Sequence, residues 1–241
     1  MNDLTRHNQD RAIAWPGSDV QQSEHSHGEG QTSPALQNRV VRNTYALLAM
    51  TLLFSAGVAT AAMALQAPSP GIIITLVGYF GLLYAVHKLQ NSAWALAAVF
   101  GLTGFMGYTL GPLLTRYSGL PNGGEVIGMA LVATGVTFLA LSAYVLTTRK
   151  DFSFMGGFLF AGMVIALLAG VGAMVFEVPA LGLAVSAMVA LLSAGLILFE
   201  TSRIVNGGET NYVLATVGLF VSLFNLFTSL LSLFGFGSSD D

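Results

Sequence analysis

Glu200 closes a long apolar run in the text L-I-L-F-E-T-S-R-I-V-N-G-G-E-T-N-Y, residues 196–212. A carboxylate at or just inside a membrane boundary is costly to bury, and it can hold a proton, a cation or a guanidinium. Arg203 lies three residues on, on the same helical face, and can pair with it. If the run enters the bilayer at Ala180, its 20 residues to Phe199 rise about 30 Å and set Glu200 near the far boundary. That end is a helix C-terminus, which favours Arg203 and disfavours a carboxylate. Two readings follow. Glu200 is either a snorkelling acid neutralised by Arg203, or a pH-sensing group whose protonation biases helix packing. Spacing alone does not choose between them.

A second polar set lies downstream. Ser222, Asn225, Ser229 and Ser232 fall at i, i+3, i+7 and i+10, which is one face of a helix, with Thr228 beside them. In lipid such a face turns toward other helices, where each interhelical hydrogen bond contributes about 0.6–2 kcal/mol. A polar pathway is the sharper alternative. Elsewhere the chemistry is sparse. There is no cysteine, hence no disulfide, thiolate metal site or thiol nucleophile. His87 sits beside Lys88 at a run's end, where an interfacial role is the default. No H-E-x-x-H, G-x-S-x-G, G-x-G-D, Walker A or dinucleotide motif occurs. His25 and His27 lie in a polar stretch and, as two imidazoles alone, make a poor metal site. The expectation is a protein that is not an enzyme and carries no cofactor or metal.

These residues need a scaffold, and the composition names its solvent. Of 241 residues, 54% are hydrophobic and 9% charged; soluble domains carry about 25% charged residues. The net charge of −3 and the lack of a basic patch argue against nucleic acid as a partner. Membrane lipid is the partner that composition implies. Residues 1–38 are polar and aliphatic-poor, so no cleavable signal peptide is visible and a disordered tail is expected, its domain boundary set at 43. Seven apolar runs follow at 45–65, 71–86, 93–114, 126–146, 154–176, 180–199 and 212–236, and residues 237–241 form a short acidic tail. The breaks between them are Pro- and Gly-rich, as at Pro68, Pro70, Pro121, Pro179 and Gly207-Gly208. With the N-terminus in the cytoplasm, Arg39, Arg42, Lys88, Arg149, Lys150 and Arg203 share that side and Arg116 stands opposite. Six against one is a positive-inside pattern, giving a cytoplasmic N-terminus and a periplasmic C-terminus. Gly107 and Gly111, with Gly101 and Gly104 on nearby turns, read as close-packing positions. Pro112 is expected to kink or end the third helix. No internal repeat is visible.

Three stretches carry a resemblance. N-R-V-V-R-N-T-Y-A-L-L (38–48), A-L-S-A-Y-V-L-T-T-R-K-D-F-S-F-M-G-G (140–157) and F-E-T-S-R-I-V-N-G-G-E-T-N-Y (199–212) are similar, in this order, to the Bax inhibitor-one, or transmembrane BAX inhibitor motif, family. The resemblance covers about residues 38–236 and implies an all-α, polytopic bundle of seven transmembrane helices. In that family cation leak, chiefly of calcium, is associated with two acids, one late in the sixth helix and one in the seventh. Glu200 matches the first position. The second falls on Ser222, and one carboxylate with a serine cannot split titrations as two carboxylates do. Glutamate in F-E-T-S, the text V-S-L-F-N and the G-F-G-S-S-D-D end resemble the proteobacterial YccA-like branch. That branch implies an inner-membrane modulator of the AAA+ protease FtsH, acting by binding, with the N-terminal tail as a cytoplasmic engagement point. A pH-sensitive cation leak using Glu200, Arg203, Ser222 and Asn225 is the alternative.

Overall fold

The fold was obtained as a computed structural model in which residues 34–237 are described. Seven helices follow one another: α1 (Pro34–Ala64), α2 (Gly71–Leu89), α3 (Ala95–Ser118), α4 (Gly123–Thr148), α5 (Gly156–Val175), α6 (Pro179–Val205) and α7 (Tyr212–Gly237). A 3-10 turn, Ser153–Met155, leads into α5. Each of the seven is long and apolar enough to cross a membrane. In hydrocarbon this is the economical solution, because a helix satisfies its own backbone polar groups. The chain is an all-α, multi-pass membrane protein.

The apolar runs located the spans, but the helices outgrow them. α1 begins at Pro34, so residues 34–43 are helical rather than part of the tail. Proline suits the first helical turn, and Val40 and Val41 pack onto the main core beyond the apolar run. The rest of the expected tail, with His25 and His27, and the acidic end at 238–241 lie outside the described residues. α3 continues six residues past Pro112, to Ser118. The proline removes one intrahelical donor but does not end the helix. α6 runs on to Val205 and buries Thr201, Ser202, Ile204 and Val205, so Glu200 sits inside the helix rather than at its tip.

α7 is the hub. It packs against α1, α3, α4 and α6, while α2 rests chiefly on α3 and α5 on α6. Phe220, Leu219 and Leu223 of α7 meet Val99 and Leu102 of α3, Leu48 of α1 and Ile204 of α6 in the largest buried cluster. Farther along, Phe227 and Leu231 pack on Val126 and Ala130 of α4. Leu159 and Ala166 of α5 pack on Leu192 of α6. The outward faces of α2 and α5 expose Ile73, Val77, Phe158, Phe160, Ile165 and Leu168, as expected of helices that meet lipid.

The close approach of α1 to α3 depends on two glycines. A Cβ at Gly107 would collide with the Ser55 backbone oxygen, and one at Gly111 would collide with the Ala62 Cβ. Neither neighbour is the flexible end of a side chain, so the helices themselves would have to separate. Gly107→Ala is therefore expected to destabilise the protein by about 1–3 kcal/mol. Gly57→Ala, where a Cβ meets nothing within 4 Å, should be neutral or stabilising by up to about 1 kcal/mol. Thermal unfolding of the two variants in detergent distinguishes them.

Candidate functional site at the end of α6

Glu200 points from α6 onto α7 at Gly218. A Cβ at Gly218 would lie 2.8 Å from the Glu200 Cδ and 2.9 and 3.0 Å from its oxygens. The glycine is what makes room for the carboxylate. The Glu200 side chain is 16% exposed, and Arg203 Nη1 stands 3.9 Å from its Oε2. At that distance the contact is electrostatic rather than a hydrogen bond, and no hydrogen bond reaches Glu200 among the described residues. Arg203 turns its other nitrogen, Nη2, to Glu209 Oε2 at 3.1 Å. Its guanidinium also lies 5.5 Å from the centre of the Phe199 ring. The expected Glu200–Arg203 pair therefore exists, but Arg203 is shared and holds Glu209 more closely.

Glu209 and Gly218 were not singled out by sequence. The G-G-E text after the helix was the available signal for the first: the Glu209 amide donates to the Arg203 carbonyl at 3.0 Å, which folds the loop back over the helix end. Glu209 Oε1 then accepts from the Asn211 amide at 2.9 Å. Gly218 carries no signal in a single sequence, because its role depends on which helix faces it.

Side-chain ties join three loops around this end. Asn211 Oδ1 caps α7 by accepting from the Val213 amide at 2.9 Å. Its Nδ2 donates across to Gln90 Oε1 at 3.4 Å and Asn91 Oδ1 at 3.3 Å, between α2 and α3. Ser202 Oγ accepts from the Phe152 amide at 2.8 Å and from Asn206 Nδ2 at 3.2 Å, and donates to Asp151 Oδ1 at 3.4 Å. Hydrogen bonds from the side chain and backbone of Ser153, then from Ser202, hold the Asp151 carboxyl below the usual aspartate range.

The other expected site residues separate from Glu200. Ser222 is buried one turn along α7, and its hydroxyl donates to the Gly218 carbonyl at 3.0 Å; among the described residues it forms no hydrogen bond with Glu200. Asn225 is half-buried, and no hydrogen bond to its side chain is present among the described residues. The face they belong to does turn inward. Ser229 is buried, and Ser232 accepts from Ser186 of α6 at 3.2 Å.

Fold and site together define a polytopic helical membrane protein with a largely buried carboxylate, Glu200, wedged between its last two helices. No cluster of three or more potential metal ligands occurs among the described residues. Comparison with known proteins specifies the class. The family model described as "Inhibitor of apoptosis-promoting Bax1" matches residues 37–239, and the chain belongs to this Bax inhibitor-one family. It is 52% identical over 216 residues to a protein of Escherichia coli strain K12 named "Modulator of FtsH protease YccA", covering 89% of this chain and 98% of that one. An uncharacterized protein of Pseudomonas aeruginosa is 52% identical over 202 residues, covering 84% of this chain and 91% of the relative. One of Pasteurella multocida is 47% identical over 194 residues, covering 80% and 88%.

Two outcomes follow from the geometry. In double-mutant cycles built from Arg203→Gln, Glu209→Gln and Glu200→Gln, the Arg203–Glu209 coupling should be the larger, about 0.5–1 kcal/mol, and the Arg203–Glu200 coupling smaller. Equal couplings would contradict the unequal distances. For Asp151 the sign is that of a depressed carboxylate: its contribution is present above the unfolded value and lost as pH falls through the folded one. Wild type should therefore melt higher than Asp151→Asn at neutral pH, with the gap closing as pH drops below the usual aspartate range.

Proposed function

We propose that this protein is a multi-pass inner-membrane modulator of FtsH, restraining the protease by binding rather than by catalysis. The observation that carries the reading is the similarity to the FtsH modulator YccA, which extends over 98% of that relative. The site agrees with it. Glu200 faces a glycine on α7, a helix that carries no acid, and the arginine beside it is shared with Glu209 of the following loop. On this reading Glu200 and Arg203 set the packing of α6 against α7. The charge pattern supports a cytoplasmic N-terminus and a periplasmic C-terminus. Residues 1–33, polar throughout most of their length, would then stand on the cytoplasmic side as a point for the protease to engage.

A second reading, a pH-sensitive cation leak, has one observation in its favour. Ser193 lies two turns from Glu200 on the same face of α6, and its hydroxyl is buried without a hydrogen-bond partner among the described residues. Reconstitution into dye-loaded liposomes separates the readings. Flux that falls in Glu200→Gln favours the leak; absence of flux at acid and neutral pH removes it.

The modulator reading is tested in native membranes. Crosslinking pull-down of the full chain should recover FtsH, and raised expression should lengthen the half-life of an FtsH membrane substrate severalfold. Deletion of residues 1–33 leaves α1 whole, so it should slow turnover of this protein itself without unfolding the bundle. Failure to recover FtsH, together with an unchanged substrate half-life, would overturn the proposal.

A further inference from the structure

At the end of the bundle away from Glu200, the helices part. A cavity of about 840 Å³ opens between the end of α3, the α5–α6 hairpin and the end of α7. Its volume falls within the range of about 300–1,000 Å³ typical of small-molecule sites. Packing explains why it exists: α5 rests on α6 and makes no substantial contact with α3 or α7. The ring of Tyr117 lies over Gly235, where a Cβ would strike it, and forms one wall. Ala173, Met174 and Leu183 supply apolar lining, and the hydrogen-bonded pair Ser186–Ser232 lines the cavity between α6 and α7.

Two opposite charges line the same cavity, Arg116 from α3 and Glu177 from the α5–α6 turn. They form no salt bridge with each other, and neither has a hydrogen-bond or ion-pair partner among the described residues. The turn that carries Glu177 is short and fixed: the Phe176 amide donates to the Gly172 carbonyl at 2.9 Å and the Val178 amide to the Ala173 carbonyl at 3.0 Å. Glu177 itself holds a left-handed φ of 52°. The carboxylate is thus placed on the rim by a locked backbone.

A ligand complementary to this lining carries an anion and a cation on one head and an apolar body behind them. It must also be at hand at a membrane face, since Arg116 and Glu177 stand at the ends of spanning helices. We propose that the cavity binds a zwitterionic aminophospholipid of the phosphatidylethanolamine type. Its phosphate accepts hydrogen bonds from the Arg116 guanidinium. Its ammonium donates to the Glu177 carboxylate, and an acyl chain lies along Met174 and Leu183. An anionic lipid would satisfy Arg116 but would leave Glu177 facing negative charge.

Native mass spectrometry of the full chain, purified in detergent and supplied with equimolar phosphatidylethanolamine and phosphatidylglycerol, tests the assignment. Wild type should retain phosphatidylethanolamine preferentially. Arg116→Gln and Glu177→Gln should each lower that retention at least fivefold, and Glu177→Gln should also erase the preference over phosphatidylglycerol. Both side chains are exposed, so the variants should fold; added phosphatidylethanolamine should raise the melting temperature of wild type and of neither variant. Equal retention by wild type and both variants would overturn the proposal, as would equal binding of the two lipids by wild type.

Discussion

Hydrocarbon offers no hydrogen-bond partner, so a hydroxyl or carboxyl that enters it is costly unless the protein supplies one. This demand orders the bundle. Three helices, α1, α6 and α7, carry most of the buried hydroxyls, and α7 stands in the middle. Its side chains first return to their own backbone: Thr216 to Tyr212, Ser222 to Gly218 and Thr228 to Phe224. They then reach across, Thr216 to the Thr44 carbonyl of α1 and Ser232 to Ser186 of α6. The helices with least to satisfy, α2 and α5, are left at the edge against lipid. Because lipid tails are as apolar as leucine, burial alone does not hold helices together here. Close backbone approach and these hydrogen bonds must, which is why glycines occupy the tightest crossings.

Much of this was legible in the sequence, and the parts that were not have a common cause. Span number and type follow from the grouping of apolar residues, which depends only on local chain length against bilayer thickness. The role of Gly107 and Gly111 was visible too, since small residues at that spacing have few other uses in a membrane helix. Helix ends were less visible. Residues 34–43 read as tail because their composition is polar, yet a helix continues wherever its last turns find a surface, as Val40 and Val41 do. Pro112 read as a kink or an end, and of the two the end is excluded, since the helix runs on to Ser118.

The site shows the same division. The pairing of Glu200 with Arg203 follows from spacing within one helix. The contacts with Gly218 and Glu209 arise between helices or across a loop, and no periodicity encodes them. Ser222 gained its prominence from family resemblance, and the fold gives that serine to its own backbone. What stands opposite the acid is a glycine, so the carboxylate fills space that a side chain would otherwise occupy. Glu200 is thus a packing element as well as a charge, and any change in its volume is felt by α7 directly.

The ties around Ser202 and Asn211 gather three loops at one end of the bundle, while at the other α5 rests on α6 alone and stands apart from α3 and α7. Mechanically this is a cantilever. Its fixed end resists bending, and deflection accumulates with distance from the clamp. A contact made at the far end of α5, by lipid or by a neighbouring protein, has the full length of that helix as its lever arm on the clamped end, where Gly156 meets Phe199 beside Glu200.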